Sequence, residues 1–253
     1  LKKEHQYTKE YPEIYKEIYE KVKTGKANTE QKPRGNNAIA ILLKKLRAFC
    51  YWCVEEHYTT NNPFQEWVET ISEEYNEPYY LTREERDLIA NMDLSKRPAL
   101  AIQRDVFVFQ CLTGERISDL YRFNDNHINK THMTLEYVPI KTKSDRKAPV
   151  VVPLNSKAVE ILKRYKNDPK RGKHLFPLIS QQRYNDDIKT ILKLAGITRC
   201  VETFDSVTGE AKQIPICDIA SSHMARRTFV GCLYAEIQDP ALISSMSGHV
   251  ENS

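Results

Sequence analysis

The segment from Ser221 to Phe229 reads Ser-Ser-His-Met-Ala-Arg-Arg-Thr-Phe. His223 and Arg226 are three residues apart, a spacing that places both side chains on one face of a helix. Phe229 falls on the apolar side that we expect to face a core, and one of the two serines is the expected N-cap. An anion of phosphate size at this helix start would meet backbone N–H groups, an imidazole and a guanidinium. Because His-x-x-Arg is common by chance, its meaning depends on the rest of the chain.

Composition limits the class of protein. The chain has 253 residues, of which 40% are hydrophobic and 28% charged, as expected for a globular protein with one large domain or two ordinary ones. It contains no apolar run long enough to span a bilayer and opens with no secretory signal. The six scattered cysteines predict buried thiols in a reducing cytosol. Cys50-x-x-Cys53 is also compatible with half of a zinc or redox site, but no second Cys-x-x-Cys follows.

Positive charge is concentrated in one part of the sequence. The net charge is only +4, and residues 1–76 carry twelve basic and twelve acidic residues. Residues 130–173 carry twelve lysines and arginines against four acidic residues. Such a block suits a polyanionic partner, most commonly nucleic acid, although a solvated lysine-rich surface is an equally good interpretation of charge alone.

The first part of the chain predicts a small helical domain. Apolar residues at helical spacing indicate a charged helix over residues 1–25, and a loop rich in Gly, Pro and Asn follows over 25–36. A strong helix then begins at Asn37. Its predicted core face consists of Ile39, Ile41, Leu42, Leu46, Phe49, Trp52 and Cys53.

A polar segment that contains a proline, Glu73–Pro78, predicts the boundary between a domain of residues 1–76 and a domain of residues 77–253. A new helix start follows it, because Thr82 with Glu85 three residues later matches a capping box.

The sequence of the second domain predicts helices around a β-hairpin. A long apolar helix over residues 100–112 ends at a Thr-Gly turn, and a new helix begins at Arg116. Alternating apolar residues predict strands over 133–140 and 148–154, with positive charge on the turn between them. The remaining predicted elements are helices over 155–166 and 180–195 and an inserted hairpin over 201–216. The predicted fold class is therefore mainly α with a small antiparallel β component.

The sequence lacks the motifs that are typical of several kinds of cofactor and metal chemistry. The eight glycines form no G-x-x-x-x-G-K-S/T or G-x-G-x-x-G loop, so no nucleotide cofactor is predicted. No H-E-x-x-H motif and no paired Cys-x-x-Cys motif occur, and the adjacent carboxylates of Asp186 and Asp187 would point about 100° apart on a helix. No metal site is predicted.

The polar residues that remain belong to four short segments. Each has a plain structural interpretation; Arg116, for example, would form a surface ion pair with Asp119 one helical turn further on. The candidate site residues are Arg116, Lys143, His223, Arg226 and His249.

Together these segments resemble the tyrosine recombinase family, also called phage-type integrases. The matching motifs are Thr113-Gly-Glu-Arg-Ile-Ser-Asp-Leu120, the lysine-bearing hairpin that ends Val150-Val-Val-Pro-Leu154, His223-Met-Ala-Arg226 and Ser247-Gly-His249. Two flanking segments also resemble the family, Leu46-Arg47-Ala48-Phe49 with Asn62-Pro63-Phe64, and Leu81-Thr82-Arg83-Glu84-Glu85. Glu115 stands where the family usually has an apolar residue, a departure that concerns local packing more than chemistry.

The resemblance implies a reaction and assigns roles. A tyrosine attacks a scissile DNA phosphodiester to give a 3′-phosphotyrosine and a free 5′-hydroxyl, without metal or nucleotide. Arg116 and Arg226 would bind the phosphate, and Lys143 would be the general acid. His223 would be a general base or a hydrogen-bond donor to the phosphate. His249 would be a further hydrogen-bond donor to the phosphate. Asp119 would orient Arg116.

The resemblance also implies the partner and the assembly. We expect a helical core-binding domain and an α+β catalytic domain to form a C-shaped clamp on double-stranded DNA recombination sites, and four copies to act together, with accessory DNA-bending or excision factors. The location would be the cytoplasm of a bacterium, at the nucleoid, with the gene on a chromosome or a phage. The expected phosphate contacts are Lys44, Lys45, Arg47, Lys141, Arg146 and Lys147.

The nucleophile is the largest departure from the family. It is expected two to three helical turns after the Gly-His motif, and none of the fourteen tyrosines lies there. Tyr234 falls on an apolar helix side and is predicted to be core. We therefore expect the chain to be a mobile-element integrase that binds a scissile phosphate without cleaving it. The alternative is a non-catalytic, architectural DNA-binding protein; a metal-dependent nuclease is a third hypothesis.

Overall fold

The computed structural model describes residues 4–22, 33–65, 73, 77–141 and 149–248. In chain order, the helices are α1 (Glu4–Glu10), α2 (Pro12–Val22), α3 (Asn36–Glu55), α4 (Arg83–Asn91), α5 (Pro98–Thr113), α6 (Ile117–Leu120), α7 (Ser156–Tyr165), α8 (Gln181–Leu194), α9 (Ile216–Ile219), α10 (Ser222–Ile237) and α11 (Pro240–Ser247). The strands are β1 (Ile128–Asn129), β2 (Thr134–Tyr137), β3 (Val150–Pro153), β4 (Cys200–Phe204) and β5 (Ala211–Pro215). The predicted mainly α class with small sheets is confirmed.

The chain divides into two compact units. The first consists of Leu1–Glu77 together with Glu202–Lys212, and the second of Pro78–Val201 together with Gln213–Ser253. A stretch taken from late in the sequence is thus part of the first unit.

The N-terminal helical region of the first unit is two helices. The single helix predicted over residues 1–25 is wrong, because the chain is interrupted at Tyr11 between α1 and α2. Pro12 starts α2: proline lacks an N–H and has its φ fixed near a helical value, so it suits the first position of a helix.

The apolar face of α3 is much less buried than predicted. Ile39 is buried at 2% exposure, together with Ala40. The predicted core residues Ile41, Leu42, Leu46, Phe49 and Trp52 are exposed. Helical periodicity identifies which residues share a face, whereas burial requires a partner element, and among the described elements none packs extensively against α3.

The hairpin of β4 and β5 confirms the one predicted over residues 201–216. Gly209 completes its turn with a positive φ of 75°. In the first unit, the tip of this hairpin is fastened to the start of α3, because the N–H of Asn36 donates to the carbonyl of Ser206 at 2.9 Å.

The second unit begins with the predicted capping box. The side chain of Thr82 accepts a hydrogen bond from the N–H of Glu85 at 3.2 Å, and the Glu85 carboxylate accepts one from the N–H of Thr82 at 2.9 Å. Two of the N–H groups at the start of α4 that lack partners within the helix are thereby satisfied.

The three-stranded sheet contains one strand that was not predicted. β2 pairs with β3 in antiparallel register, with Tyr137 opposite Val150. Both strands are shorter than predicted; beyond Tyr137 the chain meets Pro139, which has no N–H for a ladder. β1 adds the pair Ile128–Leu135 at the other edge of β2, and two residues are too few to show an alternating pattern.

The core of the second unit lies around α5, which packs against α4, α7, α8 and, most extensively, α10. Buried aromatic rings fill the space beside it, with Phe109 5.0 Å from Phe176 and Phe123 4.9 Å from Tyr137, centroid to centroid. α11 packs against α10 and β3, which brings the end of α11 close to α10.

The cysteines are all free thiols, and the prediction that they are buried is only partly right. Cys111 and Cys217 are buried, whereas Cys200 is exposed. Cys50 and Cys53 are half-buried on α3, for the same reason that the apolar face of this helix is exposed. Within the part of the chain that the structure describes, no helix is both long and apolar enough to cross a membrane.

Gly114 supplies a test of how the core fixes the α5–α6 joint. Its φ is +75°, and an added Cβ would lie 2.2 Å from a ring carbon of Phe229. Gly114→Ala should therefore lose roughly 1 kcal/mol from backbone strain and about 2 kcal/mol more from overpacking, measured by urea unfolding. Gly196→Ala is the matched control, because Gly196 has a φ of +72° and an added Cβ would meet nothing within 4 Å. Equal losses in the two variants would contradict this interpretation.

Candidate active site

Arg116 lies at the joint between α5 and α6. Gly114 ends α5 in the left-handed conformation and donates its N–H to the carbonyl of Gln110 at 2.9 Å. Arg116 is the N-cap of α6, and its carbonyl accepts from the N–H groups of Asp119 and Leu120. The half-buried guanidinium of Arg116 makes no hydrogen bond or ion pair with another described residue. This guanidinium can therefore accept an anion without breaking a described contact.

Arg226 connects three parts of the second unit. It lies on α10 and is only 3% exposed. Its Nη1 donates to the carbonyl of Gly114 at 2.8 Å and to the carbonyl of Ser247 at the end of α11. Burial, together with the neighbouring charge of Arg116, lowers the pKa of Arg226 to about 10. Arg226 still carries its positive charge at neutral pH.

The start of α10 is held by a side chain from α8. The Oδ1 of Asn185 accepts a hydrogen bond from the N–H of Ser222 at 2.9 Å. Ser221 occupies the N-cap position as predicted, but its own side chain makes no capping hydrogen bond. Met224 and Phe229 are buried, which confirms the predicted orientation of the helix.

His223 lies one turn before Arg226, on the exposed side of α10. Loss of part of its water shell holds the pKa of the imidazole below its usual value of 6.5, and nearby cations lower this pKa further. These cations are Arg227, Arg226, Arg116 and Lys141. His223 is therefore mainly neutral at pH 7. The structure brings Arg116, His223 and Arg226 together in one site, with Lys141 at its edge.

Sequence reasoning missed Arg227 and the cavity beside it. The guanidinium of Arg227 lies 4.9 Å from the ring centroid of Tyr79, a cation–π contact. Next to it is a cavity of about 180 Å³, lined by Pro78, Tyr80, His223, Arg226, Arg227, Val230 and Gly231. The available signal was the Arg-Arg pair itself: the second arginine points about 100° around the helix from the first, towards the edge of the site.

The predicted role of Asp119 in orienting Arg116 is not what the structure shows. Asp119 is fully buried, and its Oδ1 accepts hydrogen bonds from Arg122 and from the N–H of Ile140, both at 3.0 Å. The Asp119 side chain thus faces the segment that follows β2, and only its backbone N–H is seen to bond Arg116, at the carbonyl oxygen at 2.9 Å.

Glu115 is also buried, at 0% exposure. Its Oε2 lies 2.5 Å from the Oγ1 of Thr113. Among described atoms, its Oε1 and the Oδ2 of Asp119 have no hydrogen-bond partner. Burial raises the pKa of Glu115 to about 8, and the carboxyl group of Asp119 also acts to raise it. Where the family usually has an apolar residue, this chain therefore has a carboxyl group that is buried near Arg226.

The other predicted residues lie outside the described residues or in the first unit. Lys143, Arg146, Lys147 and His249 lie outside the described residues. On α3, Lys44 pairs with Glu73, Lys45 is exposed, and the guanidinium of Arg47 lies 5.7 Å from the ring centroid of Phe64. Tyr234 was predicted to be core, which is wrong: it is 55% exposed near the end of α10, where fewer elements pack around the helix. No group of three or more potential metal ligands occurs among the residues whose positions are described.

Comparison with known proteins identifies the class. Residues 80–253 match the Phage integrase family, which is more than half of the chain. The chain therefore belongs to the phage integrase family, and the resemblance to tyrosine recombinases is confirmed. No curated protein matches the chain.

Solved structures of two integrases share its fold, and a third solved structure is more distantly similar. A lambda integrase dimer bound to a COC′ core site is 16% identical with a TM-score of 0.57, over 97% of this chain and 76% of that one. The Tn1549 transposon integrase in complex with circular intermediate DNA is 15% identical with a TM-score of 0.57, over 95% and 76%. The XerH site-specific recombinase bound to difH is 18% identical with a TM-score of 0.48, over 70% of this chain and 48% of that one. The chain thus spans about half the length of XerH.

The cationic surroundings of His223 predict a measurable titration. The pKa of His223 should lie below 6.5, and Arg227→Gln should raise it, because removing a neighbouring positive charge favours the imidazolium. The measurement is the titration of the imidazole carbon-bound proton by NMR. Lys157→Gln is the control, since the charge of Lys157 on α7 is not among those that act on His223. An unchanged pKa in Arg227→Gln would contradict the assignment.

Proposed function

We propose that this protein is a site-specific DNA recombinase, an integrase of a mobile genetic element that cuts and rejoins DNA through a 3′-phosphotyrosine intermediate. The observation that carries this proposal is the convergence of Arg116, His223 and Arg226 in a chain of the phage integrase family. Like charges held together are costly unless an anion neutralises them. A phosphodiester in the site would do so.

The two arginines suit a phosphoryl-transfer transition state. Negative charge develops on the non-bridging oxygens, and guanidinium groups are permanently charged donors with a planar, bidentate geometry. Arg226 is held in place by the carbonyl groups of Gly114 and Ser247, so it needs little reorganisation when the phosphate binds. The guanidinium of Arg116 has no described partner. It would contact the phosphate from the start of α6.

Three further groups complete the proposed chemistry. His223, neutral at pH 7, would accept a proton or donate a hydrogen bond. Lys143 would protonate the leaving 5′-oxygen, and His249 would donate a further hydrogen bond to the phosphate. These two roles rest on the family motifs. No cofactor or metal takes part in the proposed reaction.

The proposal extends to the DNA and to the assembly. Lys44, Lys45 and Arg47 on α3 and Lys141, Arg146 and Lys147 near the hairpin tip would contact phosphates. A core-binding domain and a catalytic domain would clamp the duplex in a C shape, and a homotetramer on DNA would join two recombination sites, with accessory factors, in a bacterial cytoplasm.

For the polypeptide of residues 1–253 we propose binding without cleavage, because none of its tyrosines follows His249. The second candidate function is an architectural DNA-binding protein that keeps the recombinase fold. The two functions make the same DNA contacts but differ in covalent chemistry.

Removing the guanidinium of Arg116 tests DNA binding. Arg116→Gln should weaken binding of a duplex about tenfold, and the slope of log affinity against log salt should become less steep by about one. Fluorescence anisotropy over a range of sodium chloride concentrations measures both. Lys157→Gln removes an equal charge from α7 and should have a smaller effect. If the affinity is unchanged in Arg116→Gln, Arg116 does not contact the phosphate.

A covalent adduct separates the recombinase from the architectural protein. A chain that continues past His249 with a tyrosine two to three helical turns further on should form a DNA adduct on a nicked suicide substrate that carries its recombination site. The adduct should resist EDTA and disappear when that tyrosine is changed to Phe, as seen by denaturing gel electrophoresis. Binding without any adduct would favour the architectural function, and EDTA-sensitive cleavage without adduct would indicate a nuclease.

A further inference from the structure

Glu115 directly precedes Arg116 in the sequence and is buried near Arg226. Its residue joins α5 to α6, and its carbonyl accepts a hydrogen bond from the Nε2 of Gln110 at 3.0 Å. The Oε1 of Gln110 in turn accepts one from the hydroxyl of Tyr184 at 3.2 Å. Glu115 lies between Gly114, whose carbonyl is bound by Arg226, and Arg116. The backbone around this buried carboxyl group is therefore fixed by α5, α8 and α10.

The surroundings of this carboxyl group offer few hydrogen-bond donors. The group is fully buried, and its Oε1 has no hydrogen-bond partner among the described atoms. Its Oε2 lies 2.5 Å from the Oγ1 of Thr113, and that hydroxyl oxygen also lies 2.7 Å from the carbonyl oxygen of Phe109. Because a hydroxyl group has one hydrogen, Thr113 cannot donate to both oxygens at once. A buried carboxylate with so few donors is costly, and the neutral acid avoids that cost.

The surroundings favour the same form. Full burial raises the pKa of Glu115 to about 8, and the carboxyl group of Asp119 acts in the same direction, while hydrogen bonds from Thr113 and from the Glu115 backbone N–H, and the charge of Arg226, act against it. The titratable groups that face it from the described elements are Cys111 of α5, Asp119 of α6, Tyr137 of β2, Tyr184 of α8 and Arg226 of α10. Burial raises the pKa of the cysteine and of both tyrosines, so these three remain neutral up to pH 9.

We propose that Glu115 is a positioning residue that controls anion binding by the arginine pair: its protonated carboxyl group leaves the charge of Arg226 available to an incoming phosphate, and loss of that proton weakens phosphate binding. This inference rests on the proposed function, because it concerns the same phosphate site. It adds a pH dependence that the arginines and His223 alone do not produce.

The direction of the effect follows from charge. Below pH 8 the acid is neutral, and Arg116 and Arg226 present two positive charges. Above pH 8 a buried negative charge appears next to Arg226, in surroundings that screen it weakly. His223 does not obscure this transition, since its pKa lies below 6.5 and it is neutral throughout the window from pH 7 to pH 9.

Sulfate is a suitable probe, because it is a tetrahedral dianion that does not titrate between pH 7 and pH 9. Its dissociation constant is measured from the NMR shifts of His223 at constant ionic strength. For the unchanged chain the constant should rise by about threefold or more from pH 7 to pH 9. Glu115→Gln, which keeps a neutral donor towards Thr113, should bind as tightly at pH 9 as at pH 7. Glu160→Gln, on the exposed part of α7, should behave like the unchanged chain.

The possible results separate this inference from the proposed function. Sulfate binding that is independent of pH in the unchanged chain, or that weakens equally in Glu115→Gln, would overturn the role of Glu115 and leave the phosphate site intact. Failure to bind sulfate at either pH would remove the phosphate site and both proposals with it.

A second measurement observes the carboxyl groups of the unchanged chain directly. In a chain labelled with carbon-13 at the glutamate carboxyl groups, one resonance should titrate near pH 8. That resonance should be missing from Glu115→Gln. If every glutamate carboxyl group titrates below pH 6, Glu115 is ionised at neutral pH and the inference is wrong.

Discussion

The structure of the site depends on the hydrogen bonds from Arg226 to the carbonyl groups of Gly114 and Ser247. A buried guanidinium is costly unless its N–H groups have partners, and here two helix ends provide them. The C-terminal carbonyls of a helix carry partial negative charge, which suits a cation. One side chain on α10 thereby fixes the end of α5, the start of α6 and the end of α11. Binding of an anion and stability of the second unit are consequently supported by the same residue.

The balance of charge around Arg226 is set by burial as much as by sequence. Arg116, Arg227 and Lys141 add positive charge around His223, while two acidic side chains lie buried behind the arginines. With Arg226 included, four basic side chains against two acidic ones would give the region a formal charge of only +2. Because a buried carboxyl group favours its neutral form, the exposed side of the region keeps its positive charge.

Local sequence patterns predicted local features well. The capping box of Thr82, the helix that carries His223 and Arg226, and the strands of the hairpin all follow from spacing and are confirmed. The patterns failed where burial depends on a distant partner. The apolar face of α3 and Tyr234 are exposed, and the two residues of β1 pair only because β2 lies beside them. The carboxyl group of Glu115 could not be interpreted from sequence, since its state depends on Thr113, Phe109 and complete exclusion from water.

The first unit is assembled from two stretches that are far apart in the sequence, and this affects when it can fold. The N–H of Asn36 at the start of α3 can form its hydrogen bond only after Ser206 has been synthesised. At a synthesis rate of about 5–20 residues per second, roughly ten to thirty seconds separate the appearance of these two residues on the ribosome. The helices of the first unit therefore spend that time without the hairpin tip. Completion of this unit is a late event of translation, although most of its residues are made first.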